Sequence, residues 1–270
     1  MLGEWTTTLR FVTYLAPSIP EAFHRALAAH LSRALGVGAA LEVDARRSGP
    51  QPGDDPFSRG QADVGFMCAP CYLELRGHAR PPVELLAAPV YADPRNRGRA
   101  VYFSEVVVGR DADFADFADA AARGRWTYND SGSLSGYHSV LRAARAAGVD
   151  REVFADAVHA GSHLRALQVV AGGDADAAAI DANVLALLPA AYAGALDALR
   201  VLATLGPHPV QPAVVRADLP PDLKARLREL LLGLADDPQG RDLLAPYGVE
   251  RFVPVDDSDY ACLESSGPLK

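Results

Sequence analysis

Cysteine is scarce in this sequence, with 3 residues in 270. So few cysteines exclude a dense disulfide framework, and they fall short of the four ligands that a structural zinc site uses. No apolar run approaches the roughly 20 residues that a membrane span needs, so we expect no membrane span. The first ten residues lack the basic start and apolar stretch of a secretory leader, and we expect no leader in the sequence as it stands.

Basic residues are outnumbered by acidic ones, 26 against 34, which leaves a formal net charge of −8 at pH 7. A chain of this sign is a poor electrostatic partner for nucleic acid or for an anionic lipid surface, so we expect neither. Hydrophobic residues make up 49% of the chain, which is enough to build a buried core and excludes long disorder. The length allows one large domain or two of ordinary size.

Strand and helix patterns alternate along the chain, which predicts an α/β fold. Residues 9–15 alternate in polarity and are rich in strand formers, so they predict the first strand. Pro20 then opens a helix that runs to Leu35 and stops at Gly36. Further strands are predicted at 40–43, 62–67, 83–90, 102–108, 126–128, 177–180, 202–205 and 213–215, and further helices at 70–77, 113–122, 136–147, 162–171, 183–199, 221–234 and 238–245.

A short pattern occurs twice, each time just before an apolar run. The first copy is Gly-Gln-Ala-Asp at 60–63, and the second is Gly-Asp-Ala-Asp at 173–176. In both copies a glycine ends one element and an aspartate precedes the next. The repeat suggests two α/β lobes of related topology, although a chance match explains so short a pattern equally well.

The segment 131–137, Ser-Gly-Ser-Leu-Ser-Gly-Tyr, follows a predicted strand and opens a predicted helix. Backbone N–H groups at such a position lack partners within the helix, and the hydroxyls of Ser133 and Ser135 add donors, so the segment suggests an anion site. The alternative is an ordinary helix cap with neighbouring turn residues. A nucleophile elbow is excluded because Leu134 stands at its centre, and a P-loop because no lysine follows.

Two further patterns are open to more than one interpretation. Cys68-Ala-Pro-Cys71 is either a redox dithiol at a helix start or a pair of small packing residues, and the surrounding pattern favours packing. His159 and His163 are four residues apart, but the intervening Gly161-Ser162 argues against one continuous helix. We therefore predict no metal site and no cofactor.

Taken together, the motifs resemble those of the phosphonate/phosphite-binding components of bacterial ABC importers. The resemblance extends from the first strand to Tyr260, and its strength lies in the order and spacing of motifs that are individually weak. The matching segments are 60–63, Tyr-Phe-Ser at 102–104, 129–137, Ala-Gly-Ser-His at 160–163, 173–181, Gly-Pro-His-Pro at 206–209, Asp-Pro-Gln-Gly at 237–240 and Asp-Tyr at 259–260.

The resemblance implies a type 2 periplasmic-binding-protein fold, in which two α/β lobes are joined by two hinge strands with a ligand cleft between them. The hinges would lie near 102–108 and 202–205, so lobe one would comprise 1–103 plus 204–270 and lobe two 104–203. It also implies a monomeric solute-binding protein, not an enzyme, that delivers a small anion to an ABC permease. The location would be periplasmic or otherwise extracytoplasmic, while the lack of a leader keeps a cytoplasmic location open.

The resemblance also implies the main ligand-binding residues. Ser133 and Ser135, with the amides of Leu134 and Gly136, would hold the oxyanion, and His163 matches a histidine that the family places near a helix start. The family usually has threonine at the position of Leu134, so one hydroxyl is missing here.

Four further residues match positions that face the ligand or the hinge. Asp181 follows the 177–180 strand, and a carboxylate there repels an anion unless it meets a protonated oxygen, an amine or a hydroxyl. Tyr14 is a ligand-binding candidate in lobe one, with a core aromatic as the alternative. Tyr102 matches a hinge tyrosine, with a purely structural role as the alternative. Met67 stands where the family often has an aromatic ring. With Leu134, this second departure suggests a less charged or larger ligand than is usual.

Other functions remain open at this stage. Some cytosolic enzymes of menaquinone and thiamine synthesis have a similar bilobal fold, and His163, Asp181 and Ser133 would then act in acid–base and orienting roles. A ligand-sensing module is a third candidate.

Overall fold

The computed structural model describes residues 7–14, 20–51, 53–149, 152–188 and 193–264. Within these ranges the chain divides into two units, the first comprising the residues up to Ala100 together with 209–264 and the second comprising Val101–His208. The chain therefore passes from the first unit to the second after Ala100 and returns after His208. No helix in these ranges is both long and apolar enough to cross a membrane.

The described ranges contain eleven strands and nine α-helices. The strands are β1 Thr8–Tyr14, β2 Gly38–Asp44, β3 Val64–Phe66, β4 Val83–Tyr91, β5 Val101–Gly109, β6 Trp126–Tyr128, β7 Val158–His159, β8 Ala177–Asp181, β9 Leu199–Pro209, β10 Ala213–Arg216 and β11 Val249–Val253. The helices are α1 Glu21–Leu35, α2 Ala69–Arg76, α3 Phe117–Arg123, α4 Ser139–Ala146, α5 His163–Ala171, α6 Ala182–Ala186, α7 Ala193–Asp197, α8 Pro221–Leu232 and α9 Pro238–Leu244.

Each unit is built around one mixed sheet. The strand order is β2-β1-β3-β10-β4-β11 in the first unit and β7-β6-β8-β5-β9 in the second. In both sheets the first three positions hold parallel strands, and the fourth holds an antiparallel strand next to the segment where the chain passes between units. When β1 is matched with β6, β2 corresponds to β7, β3 to β8, β10 to β5 and β4 to β9, so the two sheets have the same strand order over five positions. The α/β prediction is thus confirmed, and the two units have related topology.

Apolar periodicity explains how the helices pack in each unit. Phe23, Leu27 and Leu31 recur on one face of α1 and are buried, and Gly36 ends the helix in the left-handed conformation that glycine adopts without strain. In the second unit Trp126 is buried in a cluster with Val140 of α4 and donates from its indole nitrogen to the Ala120 carbonyl at 3.0 Å.

The first copy of the Gly-x-x-Asp pattern forms an ion pair with an arginine on the neighbouring strand. Asp63 precedes β3, and its carboxylate accepts from the backbone N–H of Arg10 on β1 at 2.9 Å and from two nitrogens of that guanidinium at 2.8 and 3.0 Å. The same guanidinium donates to the Gly60 carbonyl. A second arginine, Arg216, lies 3.2 Å away, so two cations neutralise a carboxylate that is fully buried.

The second copy makes the same contacts between β6 and β8. Asp176 accepts from the backbone N–H of Arg125 at 2.8 Å and from its guanidinium at 2.8 and 3.2 Å, while the guanidinium also donates to the Gly173 carbonyl at 2.9 Å. Gly60 and Gly173 both have positive φ angles, of 63° and 80°. The repeat seen in the sequence is therefore a repeated structural feature, and it ties together the amino ends of two neighbouring parallel strands in each unit.

The two copies differ in exposure, which predicts different contributions to stability. We expect Asp63→Asn to lower the free energy of unfolding by about 3 kcal/mol, because it leaves two arginines beside a buried neutral amide. Asp176 is 31% exposed, so Asp176→Asn should cost about 1 kcal/mol or less. Urea unfolding of both variants tests this difference, and equal losses would contradict it.

Two helix predictions are wrong in their extent. Residues 183–199 are not one helix, because α6 ends at Ala186, residues 187–188 are non-helical and Leu199 already belongs to β9. Alanine favours a helix throughout this segment and carries no signal for where a helix stops. The helix predicted at 113–122 begins only at Phe117, because Asp116 caps it through the Asp119 amide. Leu15, the predicted end of the first strand, lies outside the described residues, as do 189–192.

His24 is a buried histidine in an apolar environment. It lies on α1, with Phe23 and Phe66 rings at 5.3 and 4.8 Å, and neither ring nitrogen has a hydrogen-bond partner in the described structure. Burial lowers the pKa of His24 to about 3, because protonation would place a charge among aromatic rings. The folded protein therefore holds this histidine neutral.

This burial predicts a stability that depends on pH. Below about pH 6.5 the histidine binds a proton in the unfolded chain but stays neutral in the folded protein. The contribution of neutral His24 to the free energy of unfolding is therefore present above pH 6.5 and is lost as the pH falls toward 3. Between pH 7 and pH 5 the loss is about 2 kcal/mol for this residue. We expect His24→Leu to have a smaller loss of stability between pH 7 and pH 5 in urea unfolding, whereas His78→Gln, at an exposed histidine, should behave like the parent protein. An unchanged pH dependence in His24→Leu would contradict this.

Candidate functional site

The carboxyl edge of the second unit's sheet collects the residues that the sequence singled out. β6 pairs in parallel with β7 on one side and β8 on the other, so the three strands end at the same edge. The chain leaving β6 leads into a helical segment that includes α4, and the chain leaving β7 leads into α5. Both helices therefore begin at this edge, where their free N–H groups favour an anion.

The segment 133–136 forms the first turn after β6. Ser133 caps it, its side-chain oxygen accepting from the Gly136 N–H at 3.1 Å, and residues Leu134–His138 form a π-helical turn that continues into α4. The segment therefore does form a helix cap, the alternative that its composition allowed. The amides of Leu134 and Ser135 belong to the first turn, where an N–H has no partner within its own helix, so the cap leaves these donors for a ligand. The Leu134 side chain itself is buried.

Gly136 brings three elements into contact. A Cβ atom built at this position would lie 1.9 Å from Asn129 Oδ1, a distance that no side chain tolerates, and 3.2 Å from His163 Cε1, which is a tight contact. Asn129 follows β6, and its buried Oδ1 has no hydrogen-bond partner among the described residues. Glycine is therefore required for the β6 end, the π-helical turn and α5 to meet.

His163 is the first residue of α5 and lies against the serine segment. Its Nε2 is 3.2 Å from Ser135 Oγ, and the ring is almost entirely buried. Burial lowers the pKa of His163 to about 4, against an opposing effect of the Ala179 backbone. The imidazole is consequently neutral at pH 7 and offers one donor and one acceptor rather than a positive charge.

A line of buried hydroxyls connects this segment with β5 and β8. Ser139 Oγ donates to the Ser135 carbonyl at 2.6 Å and lies 3.4 Å from Ser104 Oγ on β5. Ser104 pairs across the sheet with Asp181, the last residue of β8, whose carboxylate accepts from the Asn183 N–H at 2.8 Å. Tyr102 is two residues from Ser104 on β5 and therefore points to the same face of the sheet.

Tyr14 and Met67 belong to the first unit, whereas the serine segment belongs to the second. Tyr14 ends β1 and Met67 directly follows β3, so both stand at the carboxyl edge of the first sheet. Both side chains are buried. Burial raises the pKa of Tyr14, and the nearby Asp55 and Asp44 carboxylates raise it further, so the phenol stays protonated and can donate a hydrogen bond.

The sequence-based site omitted four polar residues at the second unit's edge. They are Asn129, Ser104, Ser139 and Asn183, and the side-chain amide nitrogen of Asn183 is also buried without a partner among the described residues. Asn129 and Ser104 belong to motifs that carry the resemblance, so position within a motif was the available signal. Ser139 lies inside a helix, and only the packing of that helix on β5 reveals it. No cluster of three or more metal-binding side chains occurs in the described ranges.

Comparison with solved structures identifies the fold. A binding protein of an ABC phosphonate transporter from Pseudomonas aeruginosa matches 96% of this chain and 85% of its own at 17% identity and a TM-score of 0.77. PhnD1 from Prochlorococcus marinus, solved with methylphosphonate, matches 97% of both chains at 16% identity and a TM-score of 0.77. The periplasmic aliphatic sulphonate-binding protein SsuA from Escherichia coli matches 97% of this chain and 86% of its own at 16% identity and a TM-score of 0.60. The fold is that of the periplasmic binding proteins.

A family model assigns the chain more specifically than the fold does. The model of the periplasmic phosphonate substrate-binding proteins of ABC transporters matches residues 11–260. The chain belongs to this family of transport binding proteins, and the resemblance stated from its motifs is confirmed.

The packing at Gly136 predicts a sharp effect of one added methyl group. We expect Gly136→Ala to weaken ligand binding at least tenfold, because its Cβ must displace Asn129 or His163. Gly194→Ala is the matched control, since a Cβ there meets nothing within 4 Å. Isothermal titration of both variants with a small oxyanion that the parent protein binds measures the effect, and unchanged affinity in Gly136→Ala would show that the segment does not form the site.

Proposed function

We propose that this protein captures a small oxyanion of the phosphonate or phosphate-ester type and delivers it to an ABC importer. The observation that carries the proposal is the segment 133–136, where first-turn amides, serine hydroxyls and a neutral histidine meet at the carboxyl edge of a sheet. Such a site holds an anion by oriented N–H and O–H dipoles and requires no covalent chemistry. Membership of a transport family and a bound methylphosphonate in PhnD1 support the same ligand class.

The roles of the individual residues follow from their chemistry. Ser133, Ser135 and the amides of Leu134 and Gly136 would contact the oxyanion, the Gly136 amide after release from its bond to Ser133 Oγ. His163 would orient Ser135 or donate to the ligand. Asn129 and Asn183 each have a buried polar atom that a ligand would satisfy. Tyr14, Met67 and Tyr102 would contact the rest of the ligand, and the buried methionine suits an organic substituent rather than a bare inorganic ion.

Asp181 would make the proposed site selective among oxyanions. A carboxylate beside an anion is favourable only where the ligand supplies a proton, and a phosphonate or phosphate group keeps a P–OH near neutral pH whereas a sulfonate does not. We therefore expect discrimination against sulfonates and sulfate. Replacement of Asp181 by asparagine should reduce that discrimination.

The last part of the proposal concerns the oligomeric state, the protein partner and the location. We propose that it acts as a monomeric carrier without enzymatic activity, that its protein partner is the permease of an ABC importer, and that it works outside the cytoplasm. The family is a periplasmic one, which supports this location.

Titration calorimetry tests the ligand class directly. Methylphosphonate, phosphite, phosphate and sulfate are titrated separately into the full chain, and binding is expected with at least one phosphorus oxyanion, at least tenfold tighter than with sulfate. Ser135→Ala should weaken that binding about tenfold, because it removes a charge-assisted hydrogen bond and the partner of His163. Absence of heat with every phosphorus ligand would refute the proposal, and equal binding of sulfate would refute the role of Asp181.

A further inference from the structure

Cys68 and Cys71 lie at the start of α2, a position that the proposed function does not use. Cys68 is the cap residue of the helix and its carbonyl accepts from the Tyr72 N–H at 3.1 Å, so the helical path begins at Cys68. Cys71 is in the first turn. Both side chains are buried, with 1% of Cys68 and 8% of Cys71 exposed, and the structure carries both as thiols.

Helical geometry places the two residues within bridging distance. Positions three apart on an α-helix have Cα atoms about 5 Å apart. Disulfides occur at Cα separations of about 4.4–6.8 Å, so the Cα spacing of this pair is compatible with a bridge. The partial positive charge of the helix start also favours a thiolate, the form that exchanges disulfides.

The chain at 48–49 packs directly on this pair. The Cys68 N–H donates to the Ser48 carbonyl at 2.9 Å, and a Cβ built at Gly49 would lie 2.3 Å from Cys71 Cβ and 2.6 Å from its Sγ. Glycine at 49 therefore lets the chain cover the sulfur closely. This cover limits access for large reagents and leaves an intramolecular bond as the compact product of oxidation.

We propose that Cys68 and Cys71 form a reversible intramolecular disulfide. One thiolate attacks the S–S bond of an external low-molecular-weight disulfide and forms a mixed disulfide, releasing one thiol. The second thiolate then attacks the bonded sulfur and releases the other thiol, so the protein loses two electrons and two protons and the external disulfide gains both. An extracytoplasmic compartment, the location proposed above, is an oxidising environment in which disulfides form and persist.

The test measures thiol oxidation in the absence of any ligand, so its outcome is separate from that of the ligand titrations. The reduced full chain is equilibrated with oxidised glutathione near pH 7.5, unfolded in the presence of N-ethylmaleimide and weighed by mass spectrometry with peptide mapping. We expect the 68–71 peptide to be lighter by two hydrogens and to carry neither maleimide nor glutathione. Exposed Cys262 should carry glutathione in part of the molecules and maleimide in the others, which shows that both reagents acted.

Two variants sharpen the result. Cys262→Ser should still lose both remaining thiols, whereas Cys68→Ser cannot close the bridge and should leave Cys71 available to maleimide or glutathione. Dithiothreitol should restore all thiols in the parent protein. Maleimide or glutathione on both Cys68 and Cys71 of the parent, under conditions that modify Cys262 with glutathione, would overturn the proposal.

Discussion

The buried carboxylate of Asp63 is the constraint from which the first unit's architecture follows. An ionised group without access to water requires compensating charge, and Arg10 supplies it together with a bond from its own backbone N–H. Because both backbone and side chain of one arginine bind the same carboxylate, β1 and β3 have one register. Fixing the amino ends of neighbouring parallel strands also fixes where their carboxyl ends stand, and the Arg125–Asp176 pair does the same for β6 and β8.

In the second unit the candidate site lies at the carboxyl edge of the sheet, whereas the Arg125–Asp176 ion pair lies at the amino edge. The candidate site is built mainly from neutral groups rather than from charges. There the polar groups are hydroxyls, amides and a neutral imidazole, and the close approach depends on the missing side chain of Gly136. Rigid strand ends position the donors, while the buried polar atoms of Asn129 and Asn183 are left without partners in the described structure. The energetic cost of that arrangement is what a bound ligand would recover.

The sequence predicted those parts of the site that are encoded locally. The strand, the serine–glycine turn and the following helix are adjacent in the chain, and their composition reveals them. The contact of Ser135 with His163, and of Ser139 with Ser104, joins residues far apart in sequence, and composition says nothing about which distant side chain closes a contact. The same limit applies to the Gly-x-x-Asp repeat, whose meaning depended on an arginine about fifty residues away in each copy. The prediction of one helix at 183–199 was wrong for a different reason. Helix propensity is uniformly high in this alanine-rich segment, so it does not show where a helix ends.

In the proposed anion site, the neutral state of His163 would decide how the protein distinguishes one kind of anion from another. A protonated imidazole would attract chloride as readily as any oxyanion, because a point charge acts equally in all directions. Oriented N–H and O–H bonds instead match lone pairs at the corners of a tetrahedron, and a spherical halide fits such an array poorly. Selectivity built in this way comes from direction rather than from net charge, and it persists at salt concentrations that would screen an ionic site.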